Sequence, residues 1–379
     1  MTYITVNRSQ RNFQITFDDI FNGVDSRKLQ PQKDTFDTQT WCVREVSSET
    51  IHKTDFASMK SAIAGFNEKY KHLIDTPNKS SLYRSFKIPK KSGGFRQIDA
   101  PNDELMSALR ELKYILESKF YATYSTNAFA YIRGRSSVDA VERHKNNGSR
   151  WFLKLDFSKF FPSTTHDFLM RMLCMTYPIS EYAKTEENLD GLKRALSLCF
   201  LNGGLPQGTP VSPMLTNMMM IPIDYAIAKM CRESTPHLCY TRYADDMHIS
   251  SEFDFRWTSV VNNIRRILSE FGAPFALNTE KTHYGNSNGR NWMLGLMLNQ
   301  NGDITVGYKK KKILKAKIFQ FMSDYTKGDP WRIDETQKFA GVLSYCKMVE
   351  PAFINHVMDA YSKKFGINVW NTIISVISC

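Results

Sequence analysis

The chain has 379 residues, which leaves room for two or three subdomains rather than one. Fifty Lys and Arg against 38 Asp and Glu give a net charge of +12, which favours a phosphate-rich partner, and the 13% aromatic content suits base stacking as well as cores. The seven cysteines are scattered with no CxxC pair, MTYITVNRSQ is no secretory leader, and no apolar run reaches about 18 residues, so a cytoplasmic protein with reduced thiols, no structural zinc and no membrane contact is expected.

Residues 1–50 are polar and mixed and read as an N-terminal extension. A helix is expected around Phe56–Tyr70, ending near Pro77. Two strands follow over 81–101, around the turn Lys90-Lys91-Ser92-Gly93-Gly94. Asn102–Phe120 reads as an amphipathic helix through Leu105, Leu109, Leu112, Ile115 and Leu116. Residues 151–308 alternate strands and helices. Within them Trp151–Pro162 is apolar on both faces before Asp156, as a buried central strand is. Gly203–Pro213 is a loop entering a helix through Met214–Met230, where Gly208 lets the backbone approach a ligand closely. Leu238–Ser251 reads as a hairpin with Tyr243-Ala244-Asp245-Asp246 at its tip. From Lys309 onward the chain reads helical. Leu314, Ile318, Phe321, Met322 and Tyr325 form an apolar stripe, with Lys311, Lys312 and Lys315 beside it. A later helix carries Phe339, Val342, Leu343 and Cys346, and a terminal one packs Val369, Ile373, Val376 and Ile377 into the core.

The adjacent aspartates at the hairpin tip repel, and each raises the other's pKa. A divalent cation relieves that, and hard oxygen ligands suit Mg²⁺. Taken alone, YADD is also compatible with a plain solvated turn. A second carboxylate source strengthens the metal reading: Asp156 stands where its strand ends, although far from Asp245 in sequence. Three carboxylates on two adjacent strands can bridge two Mg²⁺ ions about 3.5–4 Å apart, the arrangement for in-line nucleotidyl transfer.

These stretches resemble reverse transcriptases, and among them the bacterial ones: retron, group II intron and defence-associated enzymes. In family order they are FKIPKKSGGFRQIDAP (Phe86–Pro101), AFAYIRGRSSVDA (Ala128–Ala140), LKLDFSKFFPS (Leu153–Ser163), GGLPQGTPVSPMLTN (Gly203–Asn217), YADD, LNTEKT (Leu277–Thr282) and LGL (Leu294–Leu296). The resemblance covers most of residues 80–345. It implies an α+β, right-hand polymerase: fingers over 51–150 with part of the palm, palm over 151–308 with 166–205 returning to the fingers, and a helical thumb over 309–379. The palm would be an antiparallel sheet with helices.

The resemblance also implies roles. Asp156, Asp245, Asp246 and the Phe157 backbone would hold two Mg²⁺ ions, with Mn²⁺ able to substitute. Lys281 would protonate the departing pyrophosphate. Arg96, and Lys90 or Lys91, would align the triphosphate. Gln207 and Gly208 would border the incoming nucleotide. An aromatic gate beneath the sugar would reject ribonucleotides; Phe161 is the family position, and periodicity leaves Phe160 and Phe161 open. Tyr243, Leu294, Gly295 and Lys311, Lys312 and Lys315 would touch nucleic acid.

The implied partners are an RNA template, expected to be a dedicated non-coding RNA, a nucleic-acid primer and dNTPs, with an accessory protein or a homo-oligomer left open. Two motifs depart from retrons: Leu294-Gly295-Leu296 stands where they carry VTG, and Asp139-Ala140 is followed by His144 one place late for NAxxH. A stand-alone, defence-associated enzyme is the expectation drawn from that. Untemplated or protein-primed synthesis, as in abortive-infection relatives, is one alternative; an RNA-binding scaffold with a decayed site is another. The missing GDD and the LPQG argue against an RNA-dependent RNA polymerase.

Overall fold

The computed structural model describes residues 54–89, 93–120, 122–286, 292–299 and 301–378. The expected N-terminal extension, and Lys90 and Lys91, lie outside them.

Helix α1 (Phe56–Lys69) opens the described chain; Asp55 caps it by accepting from the Ser58 amide. Strands β1 (Tyr83–Pro89) and β2 (Phe95–Pro101) form an antiparallel hairpin, and helix α2 (Asp103–Ser118) follows, capped by Asn102. The hairpin is exposed except at its base, where the Asp99 amide donates to the Gln207 carbonyl at 2.8 Å. Helix α3 (Ser137–Asn146) starts with a reciprocal capping box between Ser136 and Asp139. Strand β3 (Trp151–Ser158) leads to helices α4 (His166–Leu173) and α5 (Glu186–Ser197). Helices α6 (Ser212–Met219) and α7 (Ile221–Glu233) replace the single helix expected through Met214–Met230. Pro222 has no amide to continue the ladder and stands at the start of α7, so it breaks the run there.

Strands β4 (Cys239–Tyr243) and β5 (Asp246–Ser251) form the expected hairpin, followed by helix α8 (Trp257–Glu270), β6 (Ala276–Leu277) and β7 (His283–Asn286). The antiparallel sheet runs β4-β5-β3, and β6 and β7 pair with opposite ends of β3. One face of it is apolar because Leu153, Leu155 and Phe157 sit opposite Ile249, Met247 and Leu277. That face joins a core built with α1, α2, α4–α8. The other face carries Phe152, Lys154 and Asp156 opposite Ser250, His248 and Asp246.

The last third forms a second core. Strands β8 (Trp292–Met293), β9 (Leu296–Leu298) and β10 (Ile304–Thr305) precede four helices: α9 (Tyr308–Thr326), α10 (Ile333–Val349), α11 (Pro351–Phe365) and α12 (Val369–Ser378). The stripe Leu314, Ile318, Phe321 and Met322 is buried as expected, and so are Val369, Ile373 and Val376. Helix α11 falls in the stretch expected to be helical, where the sequence delimits no separate helix. Glu350, just before it, binds the sheet to the helices: its carboxylate accepts from the Thr305 hydroxyl and the Val306 amide, both at 2.9 Å, and pairs with Lys311. No described helix is long and apolar enough to cross a membrane.

Candidate active site

Register brings the separated carboxylates together. Asp156 on β3 stands directly opposite Asp246 on β5, and Tyr243 opposite Asp246 closes a two-residue turn of Ala244 and Asp245. Ala244 takes a left-handed backbone, φ 58°, which a small side chain tolerates at modest cost. The Phe157 amide donates to the Asp245 carbonyl at 3.1 Å, so the strand end and the turn are tied. The Asn278 amide holds the Asp156 carbonyl at 2.7 Å.

Two lysines answer two of the three charges. Lys281 donates to Asp156 at 2.6 Å, and Lys154 to Asp246 at 2.9 Å. Asp156 is 3% exposed, so its partner matters: a buried carboxylate without one is costly. That contact also raises the Lys281 pKa, so its ammonium keeps its proton at neutral pH. Asp245 has no such lysine contact. Burial chiefly, then the charges of Asp156 and Asp246, push its pKa up. The site therefore holds more negative charge than its lysines balance. The donor set is all hard oxygen, which fits Mg²⁺. As the side chains stand, no three His, Cys, Asp or Glu groups among the described residues converge on one point, and lysines pair with two of the carboxylates.

A cleft of about 980 Å³ opens in front of the turn, and Arg96, Phe161, Gln207, Asp245 and Lys281 all line it. The loop after α5 builds its floor by close backbone approach. A Cβ on Gly204 would lie 2.0 Å from the Pro162 carbonyl oxygen, and one on Gly208 2.9 Å from that of Asp99. The Leu205 amide donates to the Phe161 carbonyl at 3.0 Å. Both Phe160 and Phe161 border the cleft, but Phe161 is half-buried, whereas Phe160 is 3% exposed and stacks on Phe157 at 5.2 Å.

The remaining expected residues lie apart from the cleft. Leu294 and Gly295 form the β8–β9 turn, both with positive φ, and Lys310 donates to the Gly295 carbonyl at 2.8 Å. Lys312 and Lys315 are exposed on α9. Lys311 is different: its ammonium is held by Glu350 at 2.5 Å and is partly buried.

A buried polar hub beneath the turn escaped the sequence reading. Arg242 has no exposed surface; its Nε and Nη2 donate to both oxygens of Asp224 at 2.8 Å, and the Tyr240 hydroxyl adds a bond to Asp224 at 2.8 Å. Nη1 donates to the Ala244 carbonyl at 3.0 Å and to Asn217 Oδ1 at 3.1 Å. Its signal was available: an arginine inside a buried strand and an aspartate inside the apolar IPIDYAIA both demand a partner. Lys154, two residues before Asp156 on the same strand face, was missed in the same way.

The chain resembles known proteins over most of its length. Residues 88–320 match the model of the family described as reverse transcriptase (RNA-dependent DNA polymerase). The retron Ec83 reverse transcriptase of Escherichia coli is 27% identical over 293 residues, 75% of this chain and 87% of that one. The retron Mx65 reverse transcriptase of Myxococcus xanthus is 29% identical over 279 residues, 71% of this chain and 62% of that one. Among solved structures, telomerase from Candida albicans in complex with a telomeric RNA fragment aligns over 83% of this chain and 59% of its own, at 16% identity and a TM-score of 0.43. The departures at Leu294–Leu296 and Asp139–His144 therefore coexist with likeness to retron enzymes.

Proposed function

Because this chain belongs to the reverse transcriptase family and is an RNA-directed DNA polymerase, we propose that it copies a dedicated non-coding RNA by two-metal-ion chemistry at Asp156, Asp245 and Asp246, in a retron-like or antiphage defence setting. The observation that carries the site assignment is the register of Asp156 against Asp246, with Asp245 at the turn opening onto a cleft that also holds Arg96, Phe161 and Gln207. Likeness to retron enzymes supports the dedicated template.

When bound, two Mg²⁺ ions held by the three aspartates and the Phe157 carbonyl would activate a primer 3′-hydroxyl and neutralise the triphosphate. The protein supplies the rest. Arg96 lines the same cleft as Asp245 and meets the phosphates. Gln207 and Gly208, on a backbone pressed against Asp99, border the nucleotide. The Phe161 ring underlies the sugar. Lys281 keeps its proton at neutral pH and donates it to the leaving pyrophosphate. The Leu294-Gly295 turn, braced by Lys310, and Tyr243 hold the primer end, while Lys312 and Lys315 meet phosphates of the duplex.

Primer extension by purified protein tests this reading. With an RNA template, a DNA primer, dNTPs and Mg²⁺, Asp245→Asn should lose extension while keeping its melting temperature and RNA affinity, because a charge goes and the shape stays. Full extension by that variant overturns the two-metal assignment. Product from dNTPs alone, without template or primer, replaces the templated reading with untemplated synthesis.

A further inference from the structure

A second cleft of about 280 Å³ lies between α2, the Ala128–Ala140 stretch and the start of α6. Tyr124, Tyr131, Pro210, Pro213 and Met214 line it. Its charged residues, Lys113 and Glu117, face each other at 3.8 Å and balance. A neutral cleft walled by aromatic and proline faces suits a planar base better than a phosphate.

Tyr131 is the unusual member. Its neighbours Phe129 and Ala130 are 5% and 1% exposed, yet Tyr131 is 61% exposed. Its backbone is left-handed, φ 60°, a conformation that an aromatic residue keeps only when its surroundings impose it. The surroundings do so. The Ala130 carbonyl accepts from Asn217 Nδ2 at 2.8 Å, and Arg135 Nη1 fixes the Ala128 carbonyl at 2.6 Å. The other end of the same Asn217 amide, Oδ1, accepts from Arg242, which also holds the Ala244 carbonyl. Two left-handed residues, Tyr131 and Ala244, are thus set by one buried bridge. The Tyr131 hydroxyl lies within electrostatic reach of Asp245, Tyr243 and Arg96, and Asp245 and Arg96 line the larger cleft.

We propose that Tyr131 is a stacking platform for the unpaired template base next to be copied, and that Asn217 is a positioning residue which joins this platform to the catalytic turn. The bridge keeps the ring and the aspartates in one frame. An aromatic face takes any of the four bases, as a template reader must, because every base offers a π-face. The inference rests on the polymerase reading above.

Fluorescence anisotropy, which needs no turnover, tests it with two labelled ligands: a primer–template with a 5′ single-stranded template overhang, and the same duplex blunt-ended. Tyr131→Ala should weaken overhang binding about 10-fold or more and leave blunt-duplex binding unchanged. Tyr131→Phe and Tyr131→Trp should stay near wild type. Tyr131 is exposed, so these variants test the ring without emptying a core. Asn217→Asp keeps the acceptor for Arg242 but removes the donor to Ala130; it should show the same overhang-specific loss when assayed below its own, lowered melting temperature. Unchanged overhang affinity in Tyr131→Ala, or equal loss on both ligands, overturns the proposal. So does a defect confined to KM for dNTP. Wild-type protein that binds both ligands but extends neither overturns the polymerase reading instead.

Discussion

Neighbouring phenylalanines after Asp156 should respond in opposite ways to the same substitution. Phe160 is 3% exposed, with Phe157 at 5.2 Å and Phe275 at 4.9 Å from ring centre to ring centre. Phe160→Ala empties that space and should cost about 3–5 kcal/mol, a large part of a typical domain's 5–15 kcal/mol. Phe161 stands in the cleft wall and meets Phe160 edge-on at 5.7 Å, a contact worth about 0.5–1.5 kcal/mol. Phe161→Ala should therefore fold, with a small drop in melting temperature. Its effect belongs to the sugar: overlap of one 2′-oxygen with the ring, at about 2.7 kcal/mol, is a hundredfold in discrimination. Single-nucleotide extension with matched dNTP and rNTP reads this as the ratio of kcat/KM values, which should fall about a hundredfold in Phe161→Ala. Relaxed sugar choice in Phe160→Ala with selectivity intact in Phe161→Ala means the rings are exchanged. Unchanged selectivity in both places the gate elsewhere.

Other expectations concern acid stability and nucleic-acid affinity. His144 and His248 are buried: burial, then the Lys154 charge, pushes His248 down to about 3, and burial, then His248 and Arg143, holds His144 well below 6.5. An unfolded histidine gains its proton near pH 6.5 and these folded ones do not, so the stability they permit at neutral pH is lost as pH falls. At pH 5.5 the two together should cost about 3 kcal/mol in urea unfolding, and His248→Leu should remove about half of that pH-dependent drop; an unaltered drop refutes the assignment. Reversing Lys312 and Lys315 to Glu should lower duplex affinity and flatten its salt dependence by up to about one slope unit per lost phosphate contact. Lys311→Glu should instead lower the melting temperature, because it sets a second carboxylate against Glu350; a thumb as stable as wild type would show that pair to be idle.

Much of this was readable along the chain because it depends on local pattern. The apolar run ending at Asp156, the YADD turn and the amphipathic stripes of α1, α2 and α9 each announce an element and a face. Local pattern failed where an element is buried all round. Every residue of α6 except Pro213 is buried, so periodicity could not show the break before Pro222 that separates it from α7. It also failed where polar groups choose partners. Nothing near Lys311 says that Glu350, across the β10–α9 junction, will claim it. Nothing near Arg242 says that its fork will take Asp224 and the Ala244 carbonyl together.

The sequence by itself determined which chemical groups are present and at which strand ends they stand, since side-chain type and two-residue alternation are local properties. Tertiary structure alone decided that Asp156 faces Asp246, that Phe160 is buried against Phe157 and Phe275 while Phe161 is only half-buried at the cleft, and that two lysines guard the carboxylates. The reason is physical: those choices are set by strand register and by competition among buried charges for partners, and both act between residues far apart in the chain.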